Sequence, residues 1–112
     1  MTLNASIPAT GALRLSNLDF GLTASGAYAI SSDGRVIAGF GGDERGQEAV
    51  VWVEGTPTRV EHVLLRAGGS LPEGWQLFEI TAMSSDPRVL VGNGRNPGGA
   101  LEGFRIVLPD AL

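Results

Sequence analysis

Side chains able to do chemistry are few in this chain. His62 is the single histidine among 112 residues. A general base or a metal ligand is its functional reading, but one His with no second His or Cys makes a poor metal site. The plainer reading is an exposed position on a short helix. Cysteine is absent, and all 8 basic residues are Arg. That removes thiolate chemistry, disulfides, Cys-based zinc, Schiff bases and the phosphate-loop lysine. Asp33 and Asp86 could pair as the acid and base of a glycosidase. They occupy equivalent places in two similar segments, which argues for turn chemistry instead. Ser25, Ser31, Ser32, Ser84 and Ser85 lack the Gly-x-Ser-x-Gly setting of a nucleophile elbow. The sequence therefore assigns no catalytic residue, no metal and no cofactor.

Binding is the better use of the remaining polar groups. Two Gly-rich loops, Gly41–Gln47 and Asn93–Gly99, carry Asp43, Glu44, Arg45, Arg95 and Asn96. Loops held on a rigid scaffold commonly display binding groups. Calcium fits poorly, because the first loop holds two acids and the second none. Of the two tryptophans, Trp52 lies within an apolar run and reads as core. Trp75 follows Pro72-Glu73-Gly74 and is the better candidate for stacking on a sugar ring. Trp75, Asp43, Glu44, Arg45, Arg95 and Asn96 form the candidate ligand set.

The elements that must position these residues come from a duplication. Residues 29–39, AISSDGRVIAG, align with residues 82–92, AMSSDPRVLVG, at an offset of 53. Seven of the eleven positions are identical, and three of the other four exchange one apolar residue for another. Glu48-Ala49-Val50 then matches Glu102-Gly103-Phe104 at an offset of 54, so one residue is inserted between. Internal similarity of this kind marks repeat architecture. The chain reads as a single domain, 1–112, made of repeats at about 18–57 and 70–109 joined by a short helix at 59–67.

Each repeat reads as short strands. Ala27–Ser31, Val36–Phe40 and Glu48–Val53 are strands of the first copy, and Gly74–Ile80 restarts the sheet in the second. Asp33-Gly34 between apolar runs predicts a type I′ hairpin turn, which needs φ > 0 at both central residues. Pro87 replaces Gly34 in the second copy and cannot reach that conformation, so there either the loop opens or a type I turn takes over. Between the copies, Thr58 and Glu61 have the spacing of a capping box. Val60, Val63, Leu64 and Ala67 lie on one helical face, and Gly68 suits the residue past the helix end.

Ala49, Val51 and Val53 point one way from their strand and Val50 and Trp52 the other. A strand apolar on both sides lies in a sheet covered on both faces. The fold class expected is mainly β: two propeller-like antiparallel sheets with one short helix between them. A two-blade piece leaves two apolar flanks, which predicts homo-oligomers or packing against further repeats. The net charge of −4 excludes a basic field for nucleic acid. No apolar run is long enough for membrane insertion, and residues 1–8 show no secretory signal.

The pattern Asp33-Gly34-Arg35-Val36-Ile37-Ala38-Gly39, followed by Ala49-Val50-Val51-Trp52, resembles the HAF-type bacterial extracellular repeat. In that repeat a "DG-x-V-x-V-G" strand precedes one carrying "AF-x-W". The resemblance spans roughly Leu18 to Leu108. It departs at Val50, where the family has Phe, and in the second copy at Pro87, Gly103 and Ile106. It implies propeller-like blades, a secreted or surface location and no catalytic residues. The expected function is a non-catalytic structural or interaction module. The alternative is a lectin-like carbohydrate binder with sites between blades, and a carboxylate-pair hydrolase is a remote third.

Overall fold

The computed structural model describes residues 24–43 and 46–112. It is mainly β: a four-stranded and a three-stranded antiparallel sheet, with one helix in the connection. The first sheet is a meander of β1 (Ala24–Ile30), β2 (Val36–Asp43), β3 (Gly46–Val53) and β4 (Thr56–Arg59). Helix α1 (Val60–Arg66) follows directly. The second sheet is β5 (Gln76–Met83), β6 (Val89–Arg95) and β7 (Leu101–Val107) in the same order.

The two sheets share one pairing scheme as far as Gly26 opposite Phe40 and Glu79 opposite Asn93, beyond which a second bulge between Leu77 and Glu79 shifts the register of the second sheet. Ala27 opposes Gly39, and after a bulge Ala29 opposes Ala38 and Ile30 opposes Ile37. In the second sheet Ile80 opposes Gly92, and after a bulge Ala82 opposes Val91 and Met83 opposes Leu90. Every one of these residues is displaced by 53. The bulge forces the same close approach in both copies. A Cβ added at Gly39 would meet the Gly26 carbonyl oxygen at 1.9 Å, and one at Gly92 would meet that of Glu79 at 1.9 Å. Only glycine leaves room for that carbonyl.

The sheets stack face to back. Ala38 and Val51 oppose each other across β2 and β3, so they share a face. Leu90 and Ile106 do so across β6 and β7. All four are buried in one core with Ala49, Val60, Val63, Ile80 and Leu108. By the repeat offset, however, Leu90 and Ile106 correspond to Ile37 and Trp52, on the other face of the first sheet. The second sheet thus packs one face onto the opposite kind of face of the first. Ala38 and Val51 correspond in turn to Val91 and Arg105, on the outer face of the second sheet. There Arg105 is exposed, as is Val107, at 54%. The sequence leaves two flanks open, but Trp52 and Val50 on the far face of the first sheet are 0% exposed in the single chain. The open flank is that of the second sheet.

Three local expectations change. The Asp33-Gly34 turn is not type I′: Gly34 has φ 76°, but Asp33 is not among the residues with positive φ. Ser31 N–H instead donates to the Val36 carbonyl at 2.9 Å, which closes a four-residue loop. The second copy closes the same way, Ser84 N–H to Val89 oxygen at 2.9 Å, with Pro87 in place of Gly34. The positive-φ pair is Glu54 (51°) and Gly55 (86°), which joins β3 to β4. A strand at Thr56–Arg59 is not expected from sequence, where Pro57 separates the helix from the strand before it. At a sheet edge, proline's missing N–H costs no ladder bond. That strand takes Thr58 into β4, so the capping box does not form: the helix N-cap is Arg59, with no side-chain cap.

Candidate functional site

The loops expected to display ligand-binding groups are mostly strand. Gly41, Gly42 and Asp43 continue β2 opposite Glu48, Gln47 and Gly46. Asn93, Gly94 and Arg95 continue β6 opposite Gly103, Glu102 and Leu101. A glycine-rich composition reads as loop, yet small residues are tolerated here because the neighbouring strands approach closely. Asp43 therefore sits at a strand end, and Glu44 and Arg45 lie outside the described residues.

Asn96 is occupied with its own turn. Its Oδ1 accepts from Ala100 N–H at 3.0 Å, and its Nδ2 donates to Glu102 Oε1 at 3.1 Å. Arg95 lies across β5, with its guanidinium carbon 5.6 Å from the centre of the Phe78 ring, a cation–π arrangement.

Trp75 is half-buried just ahead of β5 and lines a cleft of about 550 Å³ where the start of β5 meets the first sheet. Gln47 and Glu48 of β3, Arg59, Glu61 and His62, and Gln76 and Phe78 of β5 form the rest of its polar and aromatic lining. Glu48 Oε1 accepts from Arg59 Nε at 2.7 Å, and both side chains are about two-thirds buried, at 31% and 26% exposure. Gln47 Nε2 reaches across to the Phe78 carbonyl at 3.3 Å, tying the end of the first sheet to β5. A neighbouring cleft shares Gln47, Gln76 and Phe78 and adds Glu79, Asn93 and Arg95. Glu79 is held there by Asn93 Nδ2 at 2.9 Å.

The structure thus brings Trp75 and Arg95 to two adjoining clefts, with Gln47, Gln76 and Phe78 between them. Asn96 lines neither. Gln47 and Gln76 carry no motif in sequence. What places them is the meeting of β3 and β5, a contact between residues about thirty apart along the chain.

Asp33 and Asp86 hold equivalent turns. Asp33 Oδ1 accepts from Arg35 N–H at 3.0 Å and from Ser31 Oγ at 2.7 Å. The backbone N–H of Arg35 and then the Ser31 hydroxyl hold its carboxyl below the ordinary value. Asp86 is lowered in the same way, chiefly by the Ser84 hydroxyl, whose Oγ donates to it at 2.7 Å. His62 is exposed on α1. Among the described residues, no group of three or more His, Asp or Glu is placed to hold a metal ion, and no helix is long and apolar enough to cross a membrane. In comparisons with known proteins, the chain matches no family model, no curated protein and no solved structure.

Proposed function

We propose that this chain is a non-catalytic interaction module: two propeller-like β-repeats of the HAF type, stacked as a rigid pair, that bind a further copy of themselves. The face-to-back stack carries this reading. In the first sheet, the face holding Ala38, Ala49 and Val51 is the surface on which the second sheet docks. In the second sheet the corresponding face carries Val89, Val91 and Val107, each at least partly exposed. A surface built to receive a β-sheet in one repeat is therefore open in the next, and another copy of the chain is its occupant. Arg105 holds the place of Val51 in the middle of that face. A charge there has to be solvated or paired, so the association is reversible rather than obligate. A secreted or surface location belongs to the same proposal and rests on the resemblance of the repeat alone.

Sedimentation velocity over a concentration series tests the reading. The average mass is expected to rise with concentration, and Val107→Glu is expected to return the chain to a monomer. Val107 is 54% exposed, so that change leaves the core intact. A chain that stays monomeric throughout the series overturns the proposal.

A further inference from the structure

We infer that the cleft between β3 and β5 is a binding site for uncharged oligosaccharides. This inference rests on the cleft alone and not on self-association. At about 550 Å³ the space falls within the usual range of small-ligand sites, roughly 300–1,000 Å³. Its lining combines two aromatic rings, Trp75 and Phe78, with two primary amides, Gln47 and Gln76. A pyranose ring has an apolar face of C–H groups that stacks on an aromatic ring, and a rim of hydroxyls. A planar amide, with a donor and an acceptor side by side, matches two adjacent hydroxyls.

Gln76 is exposed at the mouth, and its side chain has no hydrogen-bond partner among the described residues. Gln47 spends its amide nitrogen on the Phe78 carbonyl, which fixes the orientation of the group. The charges do not favour an ionic ligand. Glu48 and Arg59 neutralise one another, Glu61 adds a negative charge, and the chain carries −4 overall. An acidic polymer would meet repulsion, whereas neutral hydroxyls meet amides and aromatic faces.

The site carries its own reporter. Trp52 is fully buried and Trp75 half-buried in the cleft, so a ligand-dependent change in tryptophan emission comes from Trp75. The full chain is titrated with cellohexaose, mannohexaose and maltohexaose, and with hexagalacturonate as the acidic comparator. A saturable emission change with at least one neutral hexasaccharide is expected. Gln76→Ala, a change at an exposed side chain, should weaken it about tenfold, the equivalent of one hydrogen bond. The Val107→Glu chain should bind as the wild type does. No saturable response to any of the three neutral sugars overturns the inference. So does tighter binding of hexagalacturonate, undiminished binding by Gln76→Ala, or loss of the response in Val107→Glu.

Discussion

The backbone N–H and the hydroxyl of Ser32 both donate to the carbonyl oxygen of Ser85, at 3.2 and 3.3 Å. The two serines hold the same position of the two repeats, 53 residues apart. Equivalent turns of a duplicated chain therefore touch each other directly. The outer face of the second sheet, with Val107 exposed, stays open in this arrangement, and the proposed self-association uses it.

The bulge glycines are the most sensitive points of the repeat. Gly92→Ala would put a methyl group 1.9 Å from the Glu79 carbonyl oxygen. Backbone must move to accept it, and overpacking of this kind costs about 1–3 kcal/mol or more. Urea unfolding measures it. An unchanged midpoint would show that the bulge has room for a methyl group. Gly39→Ala should behave alike, since its contact is the same.

The serine that opens each turn should matter more in the first copy. Ser31 Oγ accepts from Val36 N–H at 3.1 Å and is 3% exposed. Ser84 Oγ accepts from Val89 N–H at 3.0 Å but is only partly buried. Ser31→Ala strands a buried N–H and should cost about 1–3 kcal/mol, whereas water can replace the hydroxyl in Ser84→Ala at a smaller cost. Equal losses in the two variants would argue against the burial difference.

Acid should loosen both turns. The carboxyls of Asp33 and Asp86 lie below the ordinary value of 3.8 in the folded chain. A depressed folded value means a contribution to stability that is present above 3.8 and is lost as pH falls through the folded values. The double variant Asp33→Asn, Asp86→Asn should show a shallower fall of unfolding midpoint over this window than wild type. A slope as steep as wild type would assign acid sensitivity to other carboxylates.

Arg105 should set the strength of self-association. Arg105→Val restores on the outer face the residue that its counterpart Val51 supplies in the core. Burying a Val side chain is worth about 1.5–3 kcal/mol, so the dimerisation constant should tighten by at least about tenfold. Sedimentation of wild type and variant side by side gives the comparison, and weaker association in the variant would mean that Arg105 itself makes the contact.

Much of this could be read from residue order. The match of 29–39 with 82–92 foretold two similar strand units, because each turn and the strand after it depend on local residues: a Ser-Asp pair at each turn, and Gly39 and Gly92 in the strands that follow. The apolar residues on both sides of Val50–Val53 foretold burial of both faces. The helix was legible from the spacing of Val60 and Val63, although Thr58 belongs to β4 and does not cap it. Other features depended on how distant segments meet. Pro57 looks like a breaker until a neighbouring strand makes it an edge residue. Gln47 and Gln76 are ordinary surface amides until β5 is laid beside β3. Local preferences act over a few residues and survive in any context, whereas a cleft is made of side chains whose only relation is the packing of one sheet on another.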